Sequence, residues 1–189
     1  MAIMLIAAFI AGYLETSAIA LMPIYFGNFG LTVAAGAVLV SGFGFGGTLL
    51  QPPLGNLADR MGSMFAYGVC GLVIAVSTSL INITIEQYWF LLLVLFMFGG
   101  AAGGLNTLAV IQAGKELPPH LIPAGMTAIA MLYTLGCIVG PVISGLSLES
   151  DIATAMMYQF AILGVIMMAV ICFSVVKVSR QRGSDTSIQ

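Results

Sequence analysis

The sequence predicts an all-α polytopic membrane protein with six transmembrane helices, and three observations carry that expectation. The chain is 60% hydrophobic and only 6% charged. Its mean hydropathy of +1.12 lies far outside the soluble range, where about half of the residues are apolar. No single water-soluble core could hide that much apolar surface, so the solvent for most of the chain is lipid. The apolar residues also gather into runs near the roughly 20 residues that a helix needs to cross the hydrocarbon core. Finally, the basic residues fall on alternate breaks between those runs and on no others.

Six spans are expected, at about 2–26, 32–54, 64–82, 88–111, 122–146 and 155–177, forming one bundle over 1–177. The first begins beside Met1 but is too long for a signal peptide and lacks a basic leader. It also carries Glu15 at its centre, so it reads as a retained span. The second, AAGAVLVSGFGFGGTLLQPP, is glycine-rich and closes on Pro52-Pro53. The third follows the polar break GNLADRMG. The fourth contains FGGAAGGLNT, with Tyr88 and Trp89 at one end as an interfacial belt. The fifth contains LGCIVGPVISG, and the sixth runs into a polar tail at 178–189 whose last residues, RQRGSDTSIQ, are expected to fray. Cys70, Cys137 and Cys172 sit far apart in apolar runs and read as buried or lipid-facing residues rather than disulfides or metal ligands.

With six spans, the second and fourth breaks and the tail share one side with the N-terminus. That side holds Arg60, Lys115, Lys177, Arg180 and Arg182, every Lys and Arg in the chain. The opposite breaks hold Glu86, Glu149 and Asp151. The positive-inside bias therefore places both termini in the cytoplasm, in a plasma or bacterial inner membrane.

Glycine pairs four apart recur in three spans: Gly42-Gly46, Gly99-Gly103, Gly100-Gly104 and Gly136-Gly140. In lipid there is little hydrophobic drive between helices, and close backbone approach through small residues supplies dispersion contacts instead. The second and fifth spans also match at a constant offset: Ala35-Gly36 with Ala124-Gly125, Gly47 with Gly136, Pro52 with Pro141. One runs inward and the other outward, so a three-plus-three repeat would be inverted, as in many secondary transporters.

The break at 55–62, GNLADRMG, resembles the signature loop of the major facilitator superfamily, G-x-L-A-D-R-x-G followed by two basic residues. Gly55, Leu57, Ala58, Asp59, Arg60 and Gly62 match; Ser63 and Met64 replace the trailing basic pair. That weakened form is similar to the copy in the second half of these transporters. ALMPIY, LLQPPLG, NTLAVIQAGKELPPHLIPAG and GCIVGPVISG look like features of spans seven to eleven of a twelve-span member. The resemblance covers nearly the whole chain. It implies the C-terminal six-helix half of a major facilitator fold, and a cytoplasmic latch made and broken between halves. In the residues themselves, Gly55 and Gly62 would allow a tight turn. Asp59 would accept hydrogen bonds from free amides at a helix start, and Arg60 would pair with a carboxylate or lipid phosphate. A topology-setting turn with Arg60 as an inside anchor is the plainer alternative, although an anchor needs the base and not the acid.

Glu15, in GYLETSA, is the most informative side chain. Near mid-depth an ionised carboxylate costs several kcal/mol, on the order of 2.5–3.5 on insertion scales, unless it is paired, protonated or hydrated. It is either part of a substrate or cation site, a proton carrier, or a protonated packing residue; Thr16 beside it is a further candidate. The family arrangement, in which the first, second, fourth and fifth spans line the cavity, implies Asn106, Tyr133, Gln51 and Thr134 as secondary candidates. For each of them a helix–helix hydrogen bond is the plainer and favoured reading. His120, in PPHLIP, is read as a loop residue, and one His without a nearby intramembrane acid makes a metal site unexpected.

An intramembrane serine protease would need a Ser with a His base on a neighbouring helix, and the sole His is in a loop. The expected function is therefore not enzymatic. It is secondary active transport of a small solute by alternating access, with proton coupling. Alternatives are a split or truncated fragment inactive alone, or a homodimeric six-span transporter. Expected partners are the solute, protons, membrane lipid, and an N-terminal six-helix half or a second copy; no cofactor, metal or nucleic acid is expected. Amphipathic cations, drugs and neutral solutes all fit a cavity with one acid.

Overall fold

The structure, a computed structural model, describes residues 1–148 and 154–185, with side chains through Ser174. Seven helices follow one another: α1 (Ala2–Asn28), α2 (Val33–Leu49), α3 (Gln51–Met61), α4 (Ser63–Thr84), α5 (Tyr88–Glu116), α6 (Ile122–Leu148) and α7 (Ala155–Asp185). Among the described residues there is no strand. Six stretches are long and apolar enough to cross a membrane, with α2 and α3 counting as one over Val33–Met61. Glu149 and Asp151 lie outside the described residues. Helix α7 continues to Asp185 rather than fraying after 177, because the Arg and Gln of its polar end are good helix formers. The three cysteines are free thiols, Cys70 buried and Cys172 exposed.

The break between the second and third spans is itself helical. Pro52 and Pro53 occupy the first turn of α3, where a fixed φ suits the helix and the missing N–H is one that has no helical acceptor anyway. Gly55 therefore lies inside α3 and makes no turn, contrary to the expectation for it. The turn rests on Gly62 alone, whose φ of 91° is a conformation L side chains rarely adopt. Its amide closes the helix on the Ala58 carbonyl at 3.1 Å. Asp59 is likewise not at a helix start; it sits in the last turn of α3, so it cannot cap free amides there.

What holds the bundle together is a set of glycine crossings with a repeating pattern. A methyl group on Gly12 would strike the Tyr133 carbonyl, and one on Gly136 the Phe9 carbonyl, where α1 crosses α6. Where α2 crosses α5, Gly46 meets the Phe96 carbonyl and Gly99 the Phe43 carbonyl in the same reciprocal way. All four helices thus carry an aromatic residue three positions before the crossing glycine: Phe9/Gly12, Phe43/Gly46, Phe96/Gly99 and Tyr133/Gly136. Exchanging α1 with α5 and α2 with α6 maps one crossing onto the other, which is the three-plus-three repeat expressed in packing. The structural match to Gly136 is Gly46, one residue from the Gly47 that the sequence alignment selects. The third pair, α4 and α7, crosses at Gly71 and Gly164, where an added methyl on Gly164 would lie 2.7 Å from the Gly71 carbonyl oxygen.

This arrangement leaves the helices unequally covered. Of the most apolar stretch of α1 and α5, 56% and 61% is buried, against 22% for α2–α3 and 17% for α6. Helices α1 and α5 form the centre, while α2 and α6 each have one main partner and a long open face.

Candidate functional site

Glu15 projects from the middle of α1 and is half-buried. Its Oε2 accepts a hydrogen bond from the Tyr133 hydroxyl of α6 at 2.6 Å. Its Oε1 lies against Gly103 of α5, 3.3 Å from where a Cβ there would stand, and the Gly47 carbonyl of α2 is 3.1 Å from that same point. Four helices therefore meet at one carboxylate. The glycines make this possible, since any side chain at Gly103 would occupy the space the carboxylate uses. Among the described residues the one ion pair is elsewhere, so no Lys, Arg or His compensates Glu15. Tyr133 supplies a single donor, and a carboxylate held by one hydrogen bond keeps lone pairs free for a proton or a cationic ligand.

Asn106 lies three residues beyond Gly103 on α5, hence on the same helix face, and is half-buried with no hydrogen bond among the described residues. It is placed one turn from the carboxylate. Thr16 is half-buried and turned away from Glu15 around α1, with no hydrogen bond to it. Thr134 is exposed and bonds its own helix at Ala130, and Gln51 is exposed at the start of α3. The structure thus brings Glu15 and Tyr133 together, while Thr16, Asn106, Gln51 and Thr134 make no hydrogen bond to the carboxylate among the described residues.

Two open hollows flank this centre. One, of about 420 Å³, lies along Ser41, Gly44, Phe45 and Thr48 of α2; the other, of about 380 Å³, lies along Thr127, Ala130, Met131 and Thr134 of α6. The hydroxyls on both faces bond the carbonyl four residues back, so these mainly apolar surfaces carry a few satisfied hydroxyls and can face protein or lipid at little cost.

Two further polar arrangements escaped sequence reasoning. Tyr13, also on α1, accepts hydrogen bonds from Ser144 of α6 at 3.3 Å and from Gln159 of α7. It ties three helices together on the face of α1 opposite to Glu15. Its i, i+4 spacing from Ser17 was the available signal. The other is at the end of the bundle that carries the basic residues: Lys115, in the last turn of α5, reaches Asp59 at 2.5 Å. Arg60, the neighbour of Asp59, is exposed and forms no ion pair among the described residues. A Cβ on Gly55 would stand 3.6 Å from Ile111 of the same α5, so α3 runs alongside α5 near this pair. His120 is exposed in the connection between α5 and α6, and no group of three His, Cys, Asp or Glu suited to a metal occurs among the described residues.

Six apolar helices, each long enough to cross a membrane and crossing on glycines, form an integral membrane bundle. A family model described as Major Facilitator Superfamily matches residues 4–188. The chain belongs to the major facilitator superfamily, whose members move small solutes across membranes. It is 33% identical over 134 residues to an uncharacterized MFS-type transporter, YfkF, of Bacillus subtilis strain 168, covering 71% of this chain and 34% of that protein. It is 29% identical over 145 residues to an uncharacterized MFS-type transporter, YcaD, of Shigella flexneri, covering 75% of this chain and 36% of that protein. The match to YcaD of Escherichia coli K12 DH10B is 28% over the same length. The chain thus spans about a third of the length of the curated relatives it matches.

Proposed function

We propose that this chain is the C-terminal half of a secondary transporter that moves a small solute by alternating access, with Glu15 as its proton-coupling or cation-binding group. The observation that carries the reading is the Glu15–Tyr133 hydrogen bond, which joins α1 to α6 at a carboxylate with no cationic partner among the described residues. A group that must alternate between protonated and ionised forms needs a donor that stabilises the charge without cancelling it. A tyrosine hydroxyl does this; a lysine would lock the ion in place. The under-covered faces of α2 and α6 favour a second six-helix unit as partner, supplied by an N-terminal half or by another copy of the chain. Reconstitution into proteoliposomes tests this. Uptake driven by a pH gradient should require both this chain and a co-expressed six-span half, and uptake by the chain alone would favour the homodimer.

The Lys115–Asp59 pair is the proposed latch. Both side chains are roughly half exposed, 49% and 60%, and at such exposure an ion pair is worth about 0.2–1 kcal/mol. That is a few-fold effect on an equilibrium, suited to a contact broken once per cycle and too weak to hold the fold. Asp59→Asn should therefore shift the accessibility of cysteines introduced on the two sides of the membrane while expression stays normal. Adding Lys115→Met should produce little further change, as expected when both substitutions remove one contact. Equal loss of expression and activity in Asp59→Asn would make the pair structural.

Both termini are proposed to be cytoplasmic, on the one-sided distribution of Lys and Arg. In a cysteine-free background, an impermeant thiol reagent should label Cys at position 86 from outside and leave Cys at position 183 untouched. Labelling of the latter in intact cells reverses the orientation.

A further inference from the structure

Away from the carboxylate, an apolar groove of about 570 Å³ opens on the outer surface between α4 and α7, beside the end of α3. Met61, Met64, Phe65, Gly68 and Leu72 form one wall and Met168 the other. The space beside Gly68 is open, since a Cβ there would meet nothing within 4 Å. The groove starts at the turn between α3 and α4 and follows the first turns of α4 inward. Its mouth is therefore at the level of Arg60, which precedes Met61, is exposed and has no ion-pair partner among the described residues. Asp59, the nearest acid in sequence, is turned to Lys115 instead. Helices α4 and α7 cross with Gly71 against Gly164 and Met168, and as the third and sixth spans they run in opposite directions. The C-terminal part of α7, with Lys177, Arg180 and Arg182 in its sequence, therefore leaves the bundle at the same end as Arg60.

We infer that this groove is a binding site for an anionic phospholipid, with an acyl chain lying along Gly68 and the phosphate held by Arg60 at the mouth. An apolar slot alone would accept any lipid tail. What selects the headgroup is charge: a guanidinium at the mouth with no ion-pair partner among the described residues, while the neighbouring Asp59 is taken up by Lys115. Basic clusters between helices at the cytoplasmic end of a bundle recognise anionic headgroups in this way, and a guanidinium binds phosphate oxygens through paired N–H donors. The inference needs only that the chain is a membrane bundle and is independent of the transport reading.

The test is native mass spectrometry of the solubilised full chain, exchanged with phosphatidylglycerol or with phosphatidylcholine of the same acyl chains. The wild-type protein should retain phosphatidylglycerol several-fold more than phosphatidylcholine. Arg60→Gln should remove that preference while leaving retention of phosphatidylcholine unchanged. Gly68→Phe, which fills the slot, should lower retention of both lipids. Met168→Trp narrows it from the opposite wall and reads the same property should Gly68→Phe fail to fold. Equal retention of the two lipids by the wild type, or a preference that survives Arg60→Gln, makes the groove an ordinary lipid-facing crevice and overturns the inference.

Discussion

Replacing Glu15 by glutamine is expected to abolish uptake driven by a pH gradient while leaving a folded, inserted protein. The two side chains are nearly isosteric, and glutamine still accepts the Tyr133 hydrogen bond through its amide oxygen. What disappears is the ionisable group. An acidic residue at mid-bilayer costs on the order of 2.5–3.5 kcal/mol on insertion scales, so insertion should become easier, and lost expression would not be the reason for lost transport. The substitution also separates the two roles left open for Glu15. If it carries a proton, the variant exchanges substrate down its gradient but no longer accumulates it when the pH gradient is imposed. If it pairs with a cationic substrate, binding itself falls, and saturation rises to higher substrate concentration before any effect on rate. Tyr133→Phe should act in the same direction but more weakly, because it removes one donor and leaves the carboxylate. Full pH-driven uptake by Glu15→Gln in the assembled transporter would make Glu15 a packing residue.

How much of this was legible beforehand follows from what hydropathy measures. It reports how long and how apolar each run is, and so the six spans and the place of Glu15 in the middle of the first could be read from the chain. It says nothing about which way a side chain points around its helix. The spans are apolar on every side, and a helix with no polar face has no periodicity from which to orient it. Hence Thr16 stood beside Glu15 in sequence without a direction, whereas it is Tyr13 that bonds α6 and α7. Tyr133 entered only through family resemblance, and Lys115 was not linked to Asp59 at all, because the two are far apart in sequence and belong to different breaks. The loop at 55–62 was misjudged for a local reason. Its two glycines suggested a turn, but the prolines before it start a helix, and only Gly62 has the backbone conformation that demands glycine. The repeat was visible in outline and misplaced by one residue, since identity matching aligned Gly47 with Gly136 while the crossing itself uses Gly46.

That crossing makes the largest stability prediction. Gly46→Ala and Gly136→Ala should each destabilise the bundle markedly, although alanine is the better helix former by about 1 kcal/mol. At both positions the new methyl would be driven into a backbone carbonyl of the facing helix, Phe96 or Phe9. Backbone cannot rotate aside as a side chain can, so α2 must move off α5, or α6 off α1, along the whole contact. Overpacking of this kind costs about 1–3 kcal/mol or more, and in lipid the loss is not offset by a hydrophobic drive to re-close the gap. The clash therefore outweighs the gain in propensity. Gly44→Ala supplies the contrast: it sits on the same α2, only two residues away, and its Cβ would meet nothing within 4 Å. It should be neutral or slightly stabilising. Thermal unfolding of the solubilised chain distinguishes the cases, with a Tm lowered by several degrees for Gly46→Ala and Gly136→Ala and unchanged or raised for Gly44→Ala. Because Glu15 and Tyr133 are held at the α1–α6 crossing, Gly136→Ala should also weaken coupling, whereas Gly46→Ala, on the pseudo-equivalent α2–α5 crossing where Phe43 takes the place of Tyr133, should affect coupling less for the same loss of stability. If all three variants unfolded alike, the reciprocal glycine contacts would not be what sets the distance between these helices.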